Sequence, residues 1–423
     1  MLITYYDAYS VLTKVYSNGA FIKQAFLDTV IEEKNRSATT KICYGVLDKD
    51  ITLSYVIKRL APKTPKLAVR ILLKIALYSI IYLKTPSHAV INTTVELIKK
   101  LGKGGTSGFV NATLRNYLRN PVEIPTGDSA FDISIRYSCP EFIVNKLILG
   151  YGLNQTKDIL SADTERTFIR FNKGIDGEKY LLEKGKTFEK TPFDNVFYVK
   201  NFKMDGDFYE GIYTFQSVGS VAICNGVLHD KNNVDYKNFA LLDACSAPGG
   251  KAVYLSDYFS TVTACDVHEH RVSLINSYAS RMNKGNVTAI LSDATVVNEN
   301  FIDKFNVVLV DAPCSGTGVI KDNPDIKLNR TENSINELTT IQKNILNVNA
   351  KYVKRGGYLC YSTCSLLREE NDGVIKEFLK NNTDFSEEVV ESPLSSVKLD
   401  YGLQFLPNLS LGAGFYFVKL KRN

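Results

Sequence analysis

Tryptophan is absent from the 423 residues, and methionine and histidine are scarce, at three and four. The eight cysteines contain no CxxC spacing. With only His88, His229, His268 and His270 to join them, a zinc site has little to be built from, and no metal is expected. A disulfide framework is equally out of character for a chain of this size and composition. No apolar run is long enough to span a bilayer. The most apolar stretch, Leu67–Leu83, is broken by Arg70 and Lys74 and reads as a buried amphipathic helix. The opening residues MLITYYDAYSVLTKVY show no basic segment, long apolar run or small-residue cleavage site, so a soluble, cytoplasmic monomer is expected. Charge is nearly balanced, with 51 Lys and Arg against 45 Asp and Glu. That permits a local basic patch for a polyanion and excludes a histone-like surface. Hydrophobic and charged fractions are ordinary, which excludes a disordered or fibrous chain.

What is present changes along the chain. Residues 1–125 read as all-helical, with apolar residues at three-to-four spacing through Ala8–Phe26, Ala38–Leu60, Leu67–Leu83 and Val90–Leu101. Pro62, Pro65 and Pro86 punctuate the gaps. The glycine-rich stretch Gly102–Gly108 carries Lys103 and leads into an amphipathic helix with Arg115 and Arg119 one turn apart. Further basic residues cluster at Lys63 and Lys66 and at Lys99 and Lys100. Residues 121–132 resemble a linker. Residues 133–225 mix short strands, such as Phe168–Lys173 and Phe197–Phe202, with helices, and predict a small α+β domain. From 226 to 423 short apolar runs alternate with helical segments, which predicts an α/β domain with a parallel, Rossmann-like sheet. The final run Gly414–Leu420 is expected as an antiparallel edge strand.

The chemistry-bearing residues sit where the predicted strands end. The first strand runs into CSAPGGK (Cys245–Lys251), a loop of small residues that lets a ligand approach the backbone before a helix begins. It departs from the GxGxxG fingerprint, so a nucleoside without a pyrophosphate fits it better. Acids follow four successive strands, at Asp243, Asp266, Asp293 and Asp311. Asp266 lies about 20 residues beyond the loop, the usual distance for an acid on ribose hydroxyls. Cys314, in DAPCSGTG, and Cys364, in YSTCS, follow the fourth and fifth strands and converge on the same sheet edge, which points to thiolate chemistry. Cys43, Cys139, Cys224, Cys265 and Cys360 read instead as small core hydrophobes.

In combination, Cys245–Lys251, Asp266, SDAT at Ser292–Thr295, DAPCSGTG at Asp311–Gly318 and YSTCS at Tyr361–Ser365 resemble the RNA 5-methylcytosine methyltransferases of the NOL/NOP/Sun family. The N-terminal region, ending in FVNATLRNYLR, is similar to the NusB helical RNA-binding domain. The resemblance implies S-adenosylmethionine as cofactor, held by Cys245, Ser246, Ala247, Pro248, Gly249, Gly250 and Lys251 and by Asp266 at the ribose, Asp293 at the adenine and Asp311 toward the target base. It implies Cys364 as nucleophile on carbon 6 of cytosine and Cys314 as the residue that releases product. It implies 16S ribosomal RNA as substrate, at cytosine 967, with Asp325 and Lys327 positioning the base; Lys103, Arg115 and Arg119 are the RNA contacts that the charge pattern of the helical region offers. In DNA cytosine enzymes a Pro-Cys cysteine attacks; here the additional STCS argues for the RNA type. A transfer RNA substrate and a non-catalytic RNA-binding factor are the alternatives. Several positions depart from the family pattern: Ser217 after Gln216 where Asp is usual, INTTVEL at Ile91–Leu97 for INEAVEL, and Ala413 before Gly414 where Asp is usual.

Overall fold

A computed structural model describes residues 1–163, 166–229, 234–412 and 414–423; Ala413 therefore lies outside the described residues. Contacts divide the chain into two units, Met1–Ser161 with Ile320–Arg330, and Ala162–Val319 with Thr331–Asn423.

The first unit is helical. Its longer helices are Leu2–Asn18, Glu33–Asp48, Asp50–Leu60, Leu67–Ile81, Ser87–Lys100 and Ser107–Arg119. The helix Leu67–Ile81 is buried continuously from Ile71 to Ser79, which is why its sequence is apolar on nearly every face. Lys74 lies inside that buried stretch, where the sequence suggested a polar face. It forms an ion pair with Asp50, which also accepts a hydrogen bond from the Tyr16 hydroxyl. In the helix Ser87–Lys100, the departing residue Thr94 is fully buried and donates its hydroxyl to the Val90 carbonyl at 2.7 Å, so the substitution leaves no polar atom unpaired.

The helical unit continues beyond the expected end near residue 125. Residues 121–126 belong to no helix or strand, as a linker should, but the helices Ala130–Tyr137, Glu141–Tyr151 and Leu153–Ser161 follow. The Ser129 hydroxyl caps the first of them by accepting from the Asp132 amide. Two bonds then tie it to the helix Asp50–Leu60: Thr52 Oγ1 donates to the Ile135 carbonyl at 2.6 Å, and the Ile51 amide donates to Ser138 Oγ at 3.1 Å. These tertiary bonds are why the segment groups with the helices and not with the α+β part.

The second unit holds two sheets. The smaller comprises β1 (Thr167–Phe171), β2 (Phe188–Lys190), β3 (Val196–Val199) and β4 (Tyr213–Phe215), antiparallel in the order β2-β3-β1-β4. The larger contains β5 (Ala240–Asp243), β6 (Thr261–Asp266), β7 (Val287–Leu291), β8 (Phe305–Asp311), β9 (Val353–Thr363), β10 (Phe385–Glu388), β11 (Val397–Lys398), β12 (Leu403–Phe405) and β13 (Phe415–Arg422). Strands β7-β6-β5-β8-β9 are parallel neighbours, and β13 runs antiparallel beside β9. The antiparallel expectation for the last strand holds, but the edge expectation does not. Strands β12 and β10 cover its other side, pairing with Leu403–Phe405 and Phe385–Glu388. Both are short and polar enough to escape a reading of apolar runs. The chain moves outward in one direction from β5 to β7 and in the other from β8 to β9. The reversal between β5 and β8 is the point at which open α/β sheets bind ligands. Among the described residues no helix is long and apolar enough to cross a membrane.

Truncating one member of a buried ion pair strands the other. Lys74→Ala is expected to destabilise the helical unit by about 3–5 kcal/mol, whereas Lys74→Met combined with Asp50→Asn should recover most of the loss. Urea unfolding followed by circular dichroism measures both; equal destabilisation by the single and the double variant would refute the assignment.

Candidate active site

The loop after β5 carries the glycine-rich segment into a short helix, Gly250–Leu255. Gly249 has φ of +102°, a conformation that disfavours any side chain, and a Cβ there would come within 3.2 Å of Ile275. Gln216 braces this turn from the adjoining segment, donating to the Gly250 carbonyl at 3.3 Å and accepting from Arg170 Nε at 2.7 Å. Ser217 beside it caps the helix Val218–Val227 through its hydroxyl. Ser and Asp are near-equal caps, which explains in physical terms why Ser serves where the family usually has Asp.

The four acids occupy different environments. Asp243, at the end of β5, is 1% exposed, and its neighbours Ser246 and Cys245 approach it without closing a hydrogen bond of good geometry. Burial, reinforced by the charge of Asp311, pushes its carboxyl up to about 7. Asp266, at the end of β6, accepts the His268 amide at 3.0 Å and faces Arg271 at 3.6 Å. Asp293, beyond β7, accepts both the hydroxyl and the amide of Thr295, at 2.6 and 2.8 Å, and these bonds hold its carboxyl below the ordinary range. A narrow cleft beside it is lined by Leu242, Ala244, Cys265 and Tyr352. Asp293 borders this cleft, and Asp266 ends the neighbouring strand β6.

Asp311 closes β8. One of its oxygens accepts from Lys251 Nζ at 2.6 Å and the other from Ser362 Oγ at 2.7 Å. Burial opposes the charge on Lys251, but the Asp311 carboxylate outweighs it and holds the ammonium above its usual range. This pair ties the glycine-rich loop to the end of β8.

The two singled-out cysteines are together. Cys314 Sγ and Cys364 Sγ are 3.1 Å apart, at the ends of β8 and β9. The hydrogen bond to Cys364, burial, and the charges of Cys364 and Glu370 all push the Cys314 thiol well up. Burial pushes Cys139, Cys224, Cys265 and Cys360 up to about 12, as befits core hydrophobes. Cys245 is also pushed well up by burial.

Among the RNA candidates, Lys103, Arg115 and Arg119 are exposed on the helical unit. Asp325 and Lys327 are not. Asp325 is 2% exposed and accepts the Ile22 amide, while Lys327 is clamped on Asp48, donating to both its carboxylate and its carbonyl at 2.8 Å. Asp48 in turn is held below the ordinary carboxylate range; burial opposes this, and Lys327 and Lys49 overcome it. Both residues fasten Ile320–Arg330 to the helices, and both are buried, with one Asp325 oxygen left without a hydrogen-bond partner. Sequence reasoning passed over Ser362, Gln342 and Glu370. In REEN, six residues after Cys364, Glu370 looks like a surface acid at a helix start; in the structure it is fully buried.

Comparison with known proteins accords with this geometry. Residues 230–421 match the 16S rRNA methyltransferase RsmB/F family, and residues 8–119 match the NusB family. A probable ribosomal RNA small subunit methyltransferase B from Bacillus subtilis is 31% identical, over 98% of this chain and 98% of its own. The chain belongs to that family. A ribosomal RNA small subunit methyltransferase B from Pasteurella multocida is 32% identical over 100% of this chain and 96% of its own. Crystal structures share the fold: PH0851 superposes with a TM-score of 0.82 at 23% identity, covering 100% of this chain and 99% of its own. A methyltransferase homolog protein from Pyrococcus horikoshii gives 0.60 at 24% identity, over 70% of this chain and all of its own. The chain is thus an S-adenosylmethionine-dependent methyltransferase of small-subunit ribosomal RNA.

The raised carboxyl of Asp243 makes stability depend on pH. Its folded value of about 7 lies above the unfolded value of 3.8. The penalty for ionising it is absent below 3.8, grows as pH rises from there to about 7, and is constant above. Asp243→Asn is therefore expected to gain stability relative to the parent across that window, by up to ~4 kcal/mol. Urea midpoints at pH 4.5 and 8 read the difference; a pH-independent difference would exclude a raised carboxyl.

Proposed function

We propose that the chain methylates carbon 5 of a cytosine in 16S ribosomal RNA, cytosine 967 by analogy with its family, through a covalent bond between Cys364 and carbon 6. The observation that carries this reading is the 3.1 Å thiol pair beside the Lys251–Asp311 ion pair. One thiol suffices for attack; two in contact suit a reaction that must both make and break a bond to the base.

Either thiol of the pair can donate to the other, and Cys364 attacks in its thiolate form, as a cysteine nucleophile must, while Cys314 keeps its proton. Attack of Cys364 on carbon 6 turns carbon 5 into a nucleophile. Bound S-adenosylmethionine supplies the methyl group as a sulfonium electrophile. Attack also removes the negative neighbour that held Cys314 protonated, so Cys314 can then lose its proton to water. As a thiolate it takes the proton from carbon 5, and Cys364 leaves. The cycle restores the starting pair and releases one proton, as replacing C–H by C–CH3 with a sulfonium donor requires. Asp311, held by Lys251 and Ser362 at the end of β8, supports charge at the ring nitrogen when it carries a proton to donate there. Asp266 holds the ribose, Asp293 lies at the adenine, and the Cys245–Lys251 turn follows the rest of the cofactor. The base must leave its stack to arrive here. Residues 1–125, with Lys103, Arg115 and Arg119, serve as the NusB-like RNA-holding part, with salt-dependent affinity.

Labelled S-adenosylmethionine, incubated in parallel with unmodified small-subunit ribosomal RNA and with transfer RNA, should yield labelled 5-methylcytidine from the ribosomal RNA alone. Label confined to transfer RNA would overturn the substrate, and no label in either would overturn the activity.

The two thiols should separate cleanly in denaturing gels. Cys314→Ala should accumulate a covalent protein–RNA adduct, and Cys364→Ala should form none; the opposite pattern would exchange their roles.

A further inference from the structure

We propose that Glu370 is a positioning residue for product release, holding Cys314 against Cys364 through the serines that follow each thiol. The inference rests on the two-thiol reading and adds to it a residue that touches neither substrate nor cofactor.

Glu370 is 0% exposed. One of its carboxylate oxygens accepts the Ser315 amide at 2.8 Å and Gln342 Nε2 at 3.0 Å. The other accepts the hydroxyls of Ser315 and Ser365. All four donors are neutral, so no cation offsets the cost of burying this charge. Four convergent donors to one carboxylate make a stiff junction. Ser315 directly follows Cys314 and Ser365 directly follows Cys364, so the junction sits one residue behind each sulfur.

The two sides do not depend on it equally. Ser365 has other anchors: Asn371 and Gln404 donate to its carbonyl at 3.0 and 3.2 Å, and its amide donates to Thr363 Oγ1 at 3.1 Å. Thr363 itself is fixed in β9 and donates to Asn371 at 2.6 Å. On the other side, the Ser315 amide donates to Glu370, and its hydroxyl, which also lies 3.3 Å from Ser365 Oγ and 3.4 Å from Thr317 Oγ1, makes its shortest bond to the same carboxylate. Gln342, which holds the Pro313 carbonyl at 2.9 Å, is itself braced by the same carboxylate. Removing Glu370 therefore loosens Cys314 and leaves Cys364 largely in place. A general base displaced by about 1 Å loses on the order of 100-fold in its step.

The expected phenotype is specific: attack and methyl transfer continue, and release fails. Glu370→Ala, incubated with ribosomal RNA and S-adenosylmethionine, should accumulate an adduct to a level comparable with Cys314→Ala. It should transfer about one methyl per enzyme, with multiple-turnover kcat reduced on the order of 100-fold and cofactor Kd unchanged. Glu370→Gln keeps an acceptor for the Ser315 amide and can donate to the hydroxyls, so it should restore turnover to within a few fold and show little adduct. Ser315→Ala, a smaller change, should show the same defect in milder form and serves if Glu370→Ala does not fold. Adding Cys364→Ala to either should abolish the adduct. Folded, cofactor-binding variants that lose adduct and methyl transfer together, or that turn over normally, would overturn the proposal. If Cys314→Ala itself traps nothing, the two-thiol reading fails first, and this inference with it.

Discussion

The ion pair between Lys251 and Asp311 fixes the relation on which the site depends. One partner belongs to the turn after β5 and the other ends β8, the two strands between which the chain reverses direction across the sheet. An open parallel sheet must leave a crevice there, because its neighbouring crossovers depart to opposite sides. The pair bridges that crevice at its floor. The glycine-rich turn, Asp266 and Asp293 lie at the ends of β5, β6 and β7, and the two thiols follow β8 and β9. A partly buried pair of this kind adds little net stability, since desolvation offsets much of its attraction. Its value is geometric. It sets how far the turn after β5 stands from the end of β8, three residues before Cys314.

Much of this was legible in the sequence because strands buried on both faces announce themselves. Val307–Val310 is an uninterrupted apolar run, buried throughout, and chemistry-bearing residues follow where it stops. Once the strands were placed, the convergence of Cys314, Cys364 and Asp311 on one edge followed from their being parallel. The helical part was legible through its spacing, but its limit was not. Nothing local in Ala130–Ser161 reveals that Thr52 and Ile51 will bond to Ile135 and Ser138. That information is tertiary, and the linker-like residues before it obscured it.

The failures share a physical cause. Lys74, Asp325, Lys327 and Glu370 are charged residues that fold into the interior with partners far away in sequence, such as Asp50, Ile22, Asp48 and Ser315. A charge in a sequence reads by default as solvated, and by family analogy Asp325 and Lys327 read as ligands for RNA. Only the partner's position tells a structural charge from a functional one. The short strands β10 and β12 escaped for a related reason, since their stability comes from pairing with β13 and not from their own composition.

The segment Ile320–Arg330 carries one further consequence. In sequence it falls between β8 and the helix Glu332–Ala350, in the middle of the catalytic unit, yet it is bound to the helical unit through Ile22 and Asp48. The chain therefore leaves the catalytic unit and returns to it. No single cut can yield the two parts as complete fragments. A fragment starting at Ala162 would carry Ile326 and Lys327 without the partners that bury them, while a fragment ending at Ser161 would leave Asp48 without its lysine. In genetic terms the two parts are interleaved, so neither could have been exchanged by recombination at one boundary without the other's loop being rebuilt.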